Sequence, residues 1–417
     1  MKIVVFEDDL WENFAPLTHT RHVSELFWGT RRLLDNILGR AKEGTVSLLG
    51  RPYLAGVVRE RLKLAYNAAV QEEVLLVNGR LRPNDALLQS LSAGKKSALM
   101  SGEELVMARV TPKTFEKLTG DGVLTRRDIK RIAEGLGVAQ SWKEVLFHHY
   151  WELVQSNGFA IANQAREQGE LVSPPELSMV KGPPSNVLIS ESADVEKLVS
   201  LDASRGPIVI ERDAVVESFS RISGPCYIGP RAKIHSALIG SGTSIGERCK
   251  IGGEVENSII MSYSNKAHHG YIGDSIVGEW VNLGAGSTFS NLKNTYGTVK
   301  VRQGDKQVDT EMLKLGPLVG DMAKVSIGCM VLGGKKIGLS SHLVGLTTLD
   351  VPSFTYHRGD GDASVEVRLE SAIMTQRRMM DRRGIELSKA QEQLIRYLHR
   401  ATAHERRKGK VKKGPMR

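Results

Sequence analysis

The sequence predicts two architectures in one chain: an α/β N-terminal domain with a mostly parallel sheet, then a parallel β-helix of hexapeptide repeats. A helical, basic extension closes the chain. Three observations carry this reading. Aliphatic residues recur every sixth position at Val319, Val325, Val331, Ile337, Leu343 and Leu349, and earlier at Ile228 and Ile234, then Ile239, Ile245 and Ile251 after a slip of one residue. No amphipathic helix holds that period and a simple strand wants period two, whereas a parallel β-helix needs one short strand and one turn per repeat. Gly follows the aliphatic residue at Gly229, Gly240, Gly246, Gly252, Gly273 and Gly338, where the backbone must turn. Upstream, strand-like and helix-like stretches alternate, the mark of a parallel sheet with crossover helices.

In chain order, Lys2–Phe6 (KIVVF) reads as a buried strand and Val23–Leu38 as a helix with Val23, Leu26, Phe27, Leu33, Leu34 and Ile37 apolar. Val46–Leu49, Val74–Val77 and Val106–Val110 read as further strands. Trp142–Glu167 has a helical pattern that puts Val145, Leu146, Leu153, Phe159 and Ile161 on or near one face, and the segment SPPELSMVKGPPSN after it reads as a linker. The expected division is 1–145 for the α/β domain, 146–186 for helix and Pro-rich linker, 187–354 for the β-helix, and 355–417 for the extension, helical over Ala363–His404.

A chain of 417 residues exceeds one ordinary core, and 41% hydrophobic with 25% charged residues is a soluble globular composition. The apolar runs are too short to span a membrane, and MKIVVFEDDLWENF turns acidic too early for a signal peptide. Cys226, Cys249 and Cys329 have no metal spacing, and their odd number argues against a disulfide framework, so a reducing cytoplasm fits. The net charge of +10 is concentrated partly in HERRKGKVKKGPMR, which reads as a solvated, disordered tail. No aromatic residue is interleaved there for base stacking, which argues against a nucleic-acid arm. The remaining positive charge suits phosphorylated or CoA-type ligands.

Residues 264–301, SNKAHHGYIGDSIVGEWVNLGAGSTFSNLKNTYGTVKV, interrupt the repeat. Here His268, Tyr271, Gly273-Asp274, Asn282, Gly284-Ala285-Gly286 and Asn291 follow one another in the order and spacing of a known motif. The segment resembles the acetyltransferase half of the bifunctional enzymes that make UDP-N-acetylglucosamine. It is closer still to a branch that joins this β-helix to a short, divergent sugar-nucleotidyltransferase-like domain. The resemblance covers most of 225–350, including LKLGPLVGDMAKVSIG, and implies a left-handed β-helix. It also implies a homotrimer with acetyl-CoA and a sugar-1-phosphate as substrates, and a nucleoside triphosphate for the N-terminal domain. One position departs from the family, which usually has a lysine where Gly297 stands.

The chemistry explains the residue types. N-acetylation needs a neutral amine, and an imidazole accepts protons in the right range, so His268 is the expected general base. His269 is adjacent, but the spacing to Tyr271 and Asp274 favours His268. Backbone N–H groups of Gly284, Ala285 and Gly286, or the Asn291 amide, would face the oxyanion, and the same glycines would let CoA lie along the coil. Tyr271 and Asn282 would hold sugar hydroxyls, and Lys266 and Lys300 the sugar phosphate. The asparagines read equally well as turn formers or an internal ladder.

The N-terminal segment lacks the Gly-rich phosphate loop of ordinary nucleotidyltransferases: no Gly falls between Phe6 and Trp28. FEDDLWENFAPLTHTRHVSELFWG still resembles the divergent branch, which implies Arg21 as a phosphate contact and Asp8 or Asp9 as ligands to Mg²⁺, a cation that takes hard oxygen donors. Asn78, in Asn78-Gly79-Arg80 after the strand VLLV, is a second candidate nucleotide contact at a strand's C-terminal end. The expected function is N-acetylation of an amino-sugar-1-phosphate coupled to nucleotidyl transfer, yielding a UDP- or dTDP-N-acetyl amino sugar. The alternatives are a nucleotidyltransferase with an oligomerising β-helix, and a non-enzymatic sugar-nucleotide-binding scaffold.

Overall fold

The structure is a computed structural model and describes residues 2–41, 44–83, 98–118, 122–141, 143–165, 171–172, 175, 178–359 and 363–414. It divides into two compact units. The first comprises Met1–Phe27, Arg31–Tyr150 and Ser388–Tyr397; the second comprises Trp28–Thr30, Trp151–Leu387 and Leu398–Arg417.

The first unit is built on a sheet with the spatial order Val138–Ser141, Ala98–Ser101, Glu104–Val110, Val74–Asn78, Lys2–Asp8, Val46–Leu49, Ala65–Tyr66. Val123–Leu124 adds to the end of Lys2–Asp8. Pairings are parallel except the two made by Glu104–Val110. Ile3, Val4, Val5 and Phe6 are all buried, because both faces of the strand are covered, which is why it reads as a run rather than an alternation. One face packs Val4, Phe6, Val74 and Leu76 under Phe115 of helix Pro112–Leu118 and Ile129 and Ile132 of helix Arg126–Leu136. Each buried isoleucine is worth roughly 1.5–3 kcal/mol. Helix Arg126–Leu136 starts at a capping box between Thr125 and Asp128 and stops at Gly137, whose φ of +70° ends the regular turn. The C-terminal ends of the parallel strands bring Asp8, Asn78 and Ser101 to one edge, beside the start of the antiparallel strand at Glu104.

The expected helix over Val23–Leu38 is only partly present. Val23–Glu25 is a single 3₁₀ turn, Phe27–Trp28 and Arg31–Arg32 are strands, and only Leu33–Leu38 is α-helical. Gly29, at φ +74°, breaks the helical path. The later helix spans Tyr150–Gln164; the expected ends Trp142 and Glu167 lie outside the described residues. Phe159 is 67% exposed and does not share the buried side with Leu153 and Ile161.

The second unit holds the parallel β-helix. One column of inward residues runs Ile189, Ile210, Ile228, Ile245, Ile260, Val277, Val319, Ile337, each paired with the next by parallel ladders. A second column runs Val216, Ile234, Ile251, Lys266. Between Val277 and Val319 the chain leaves the coil to form an antiparallel hairpin, Lys300–Gln303 with Lys306–Asp309. The six-residue beat holds as far as Leu343 and then fails: Leu349 is 63% exposed, and Thr347, fully buried and paired with Val331, takes the inward place. The last coil is shorter than the others, so the beat read from the sequence overshoots it. Cys226, Cys249 and Cys329 are free thiols buried in the coil interior.

The C-terminal part is helical over Leu369–Asp381, Lys389–Ala401 and Ala403–Lys408, with a break at Gly384 (φ +67°). The basic tail is not a free, solvated segment through residue 412. Arg406 is buried and pairs with Glu366 at 3.1 Å, and Lys412 forms a bridge with Val365. Residues 415–417 lie outside the described residues.

Candidate active sites

In the β-helix, stacking of successive coils assembles the site. Parallel pairing places Glu254 beside Tyr271 and Tyr271 beside Thr288, with Val255, Ile272 and Phe289 in line next to them. Residues just beyond these strands therefore stack at one corner. Asn291 Nδ2 donates to the Tyr271 hydroxyl at 2.9 Å and to Asp274 Oδ2 at 2.5 Å. Asn257 Nδ2 donates to the other Asp274 oxygen at 2.6 Å, and the Tyr271 hydroxyl donates to Glu256 Oε2 at 3.4 Å. The result is a ladder of Asn257, Asp274 and Asn291 with the Asp274 carboxylate between two amides. Burial raises the Asp274 carboxyl above its ordinary range, the two amides oppose that, and nearby Glu256 adds to it. Burial, then Glu256 and Asp274, push the Tyr271 phenol far up, so it stays a protonated donor.

His268 and His269 are both exposed in the adjoining turn. The turn is tied down from beneath by Lys266. This lysine occupies an inward place in the column after Ile251, and its ammonium donates to the carbonyls of Gly252 at 2.7 Å and His268 at 3.0 Å. Burial pushes it down to about 8. Its ammonium is thus directed into the coil, because the β-helix register turns that position inward. Asn282 is exposed and accepts from Asn265 at 3.4 Å, and Lys300 is exposed on the hairpin; neither hydrogen-bonds to the Tyr271–Asn291 cluster.

The Gly284-Ala285-Gly286 turn is tightly constrained. A Cβ on Gly284 would stand 2.5 Å from the Ile327 nitrogen of the next coil, and Gly286 has φ +75°. The N–H groups of Gly284 and Gly286 are used on the carbonyls of Val325 and His269, at 2.8 and 2.9 Å. Ala285 N–H makes no such backbone bond. A Cβ on Gly286 would lie 3.4 Å from His269 Nε2, so the His269 ring borders the turn. Glu256, Asn257 and Lys314 were not expected from the sequence; Lys314 acts electrostatically on Asp274. Their signal is stacking by whole coils, which residue spacing within one motif does not display.

In the first unit, a cavity of about 710 Å³ opens at the edge where the strands end. Asp8, Asp9, Glu104, Arg126, Lys130 and His148 line it, over Met100, Leu124 and Ile129. Asp8 Oδ1 accepts from Arg80 Nε at 2.9 Å and from Leu10 N at 3.2 Å; Oδ2 accepts from Arg80 Nη2 at 2.6 Å and from Asn78 Nδ2 at 2.8 Å. Arg80 Nη2 also reaches Glu104 Oε1 at 2.9 Å, while Glu104 Oε2 meets His148 Nε2 at 2.6 Å. Burial alone would raise the Glu104 carboxyl, but His148 and Arg80 together hold it below its usual range.

Asn78 is fully buried, its amide spent on Asp8, the Leu105 carbonyl and the Arg80 N–H, and Arg21 is also buried; neither lines the cavity. Asp9 is exposed and lines it. Mg²⁺ does not fit at Asp8: a carboxylate offers about four acceptor sites, and all are taken, two by a guanidinium that would repel a dication. Among the described residues no group of three or more His, Cys, Asp or Glu is placed to hold a metal ion. Arg80, Glu104, His148, Arg126 and Lys130 complete this edge. Of these, Arg80 had a sequence signal, its place after a buried strand.

Comparison with known proteins agrees with these two halves. Residues 3–167 match the family model for sugar nucleotidyl transferases, and residues 222–340 match the model of the GMPPB C-terminal domain. The chain thus combines a segment that matches sugar nucleotidyl transferases with a hexapeptide β-helix. The bifunctional sugar-1-phosphate nucleotidylyltransferase/acetyltransferase of Sulfurisphaera tokodaii is 36% identical over 162 residues, 37% of this chain and 38% of that protein. The bifunctional protein GlmU of Methanocaldococcus jannaschii is 37% identical over 106 residues, 25% of this chain and 26% of that one. The matched segments thus span between about a quarter and little more than a third of these relatives' length. Among solved structures, the UDP-N-acetylglucosamine acyltransferase of Francisella novicida is 17% identical, with a TM-score of 0.28 over 50% of this chain and 74% of that one.

Proposed function

We propose that the chain is an acetyl-CoA-dependent N-acetyltransferase acting on an amino-sugar-1-phosphate of the glucosamine-1-phosphate type. Its N-terminal unit serves nucleotidyl transfer, so that the product is a UDP- or dTDP-N-acetyl amino sugar. The observation that carries this reading is the meeting of Tyr271 and Asn291, twenty residues apart in sequence, at 2.9 Å beside the turn bearing His268.

In this reading His268 takes the proton from the substrate ammonium. The freed amine attacks the thioester carbonyl, a C–N bond forms, and the C–S bond breaks with the thiolate leaving. Nitrogen gives up its second proton as the amide forms; of the two protons, His268 passes one to the thiolate and the other goes to solvent. Tyr271 and Asn291 already hold each other, so they present a fixed edge to the sugar without reorganising, the condition under which polar groups aid catalysis most. Ala285 N–H faces the oxyanion. Asn282 and Lys300, on separate parts of the surface, contact the sugar and its phosphate from outside the cluster, and Gly284 and Gly286 keep the coil bare for CoA. Nucleotide phosphates meet Arg126 and Lys130 at the edge cavity, and the divalent cation arrives on the triphosphate.

A homotrimer is supported by an apolar strip on the coil surface. Met330 and Leu346 are cross-strand neighbours, 50% and 41% exposed, and Ile327, three residues before Met330 in sequence, is 76% exposed. A cytoplasmic setting is supported by the three unpaired thiols, and no described helix is long and apolar enough to cross a membrane.

The test is release of free thiol from acetyl-CoA with glucosamine-1-phosphate. Release that His268→Ala abolishes supports the reading. No release with glucosamine- or galactosamine-1-phosphate overturns it and leaves the β-helix as a scaffold.

A further inference from the structure

We propose that Arg80 is the resident cation of the first unit and that Asp8 is not a metal ligand: the guanidinium stands where a nucleotide-handling site would hold a divalent ion. The inference deepens the nucleotidyltransferase reading of this unit. It states that any divalent ion enters with the nucleotide and is not held beforehand by Asp8.

Three features carry it. Arg80 is fully buried, and its side chain lies at the strand edge where such sheets receive ligands, at the end of Val74–Asn78. It is committed on three sides: to both oxygens of Asp8, to Glu104 at 2.9 Å, and to the Phe147 carbonyl at 2.5 Å. Asp8 has four donors and no acceptor site to spare. A dication at Asp8 would have to displace a buried, always-charged guanidinium from both oxygens of the carboxylate. Glu104 does not offer a second site, since its oxygens are divided between Arg80 and His148. Arg80 thus links two carboxylates as a bridging metal would, but with a fixed planar geometry and no exchange with solvent ions.

The experiment titrates Mn²⁺ alone, without nucleotide, into the full chain and counts bound ions by electron paramagnetic resonance. Wild type is compared with Asp8→Asn. The expected result is the same number of bound ions in both, whether that number is zero or reflects the exposed Asp9. Loss of a bound ion in Asp8→Asn overturns the proposal. If Asp8→Asn does not fold, the double variant Asp8→Asn/Arg80→Met takes its place, since removing both partners leaves no buried charge unpaired. The same two outcomes decide. With no nucleotide in the titration, failure of nucleotidyl transfer does not affect the result.

Discussion

The ammonium of Lys266 lies 3.0 Å from the carbonyl oxygen of His268, inside the coil, while the His268 side chain stands in solvent. One residue of the motif therefore anchors another from below. Replacing Lys266 by Met keeps the length and removes the anchor. Thiol release by Lys266→Met is expected to fall about tenfold or more, because small displacements of a positioned base are costly. A rate within twofold of wild type shows that the anchor does not matter.

Lys266 also predicts a pH dependence of stability. Its folded-state value of about 8 lies below the 10.5 of the free group, so between those two values the unfolded chain binds more protons. Stability contributed at this position therefore rises as pH goes from about 8 to 10.5. Urea unfolding at pH 7.5 and 9.5 should show wild type gaining stability relative to Lys266→Met. Parallel behaviour of the two proteins contradicts the burial argument.

The two adjacent histidines make separate predictions. His268→Ala is expected to lower the rate of thiol release by roughly 10²–10⁴-fold, the usual contribution of a general base. His269→Ala, which removes only a ring bordering Gly286, is expected to lower it less than tenfold. The reverse order would assign the base to His269.

Asn291→Ala removes one of the two amides that hold the buried Asp274 carboxylate. Leaving such a group short of a donor costs about 1–3 kcal/mol, measurable as a lower urea midpoint with unchanged slope. Asn282→Ala, at an exposed position, is expected to change stability by less than about 0.5 kcal/mol.

The end of the hexapeptide beat is testable in the core. Ile337→Ala is expected to cost about 2–5 kcal/mol, as full burial of an isoleucine implies. Leu349→Ala is expected to be nearly neutral, since that side chain is 63% exposed. Similar losses for the two would restore Leu349 to the interior.

Much of the β-helix was legible because its inward places repeat in sequence: Ile228 with Ile245, and Val319 with Ile337, announce the column they form. Lys266 sits in a neighbouring inward column and was not legible, because a lysine reads as surface unless the register is known. The helix expected over Val23–Leu38 shows the opposite failure: a sound apolar pattern overridden by the backbone conformation of one glycine, Gly29. Tyr271 and Asn291 were found through the motif they belong to. Asn257 and Glu256 were not, because they reach the cluster by stacking of coils. Arg80 and Glu104 lie twenty-four residues apart and meet only because an antiparallel strand returns beside Val74–Asn78.

A parallel β-helix has open ends, and each end is a ladder with unpaired backbone groups that invites another chain. Here each end meets a strand running the other way. Leu171–Val172 lies antiparallel to Val187–Ser190 at the start, and Val365–Glu366 lies antiparallel to Thr355–His357 at the finish. At the finish Lys412 pairs with Val365 in turn, and Arg406 clamps Glu366. The basic tail is therefore part of a stopper. Cutting the chain near Ala403 would uncover that edge alone, and the shortened protein should pair with a second copy finish to finish instead of merely losing a charged appendage.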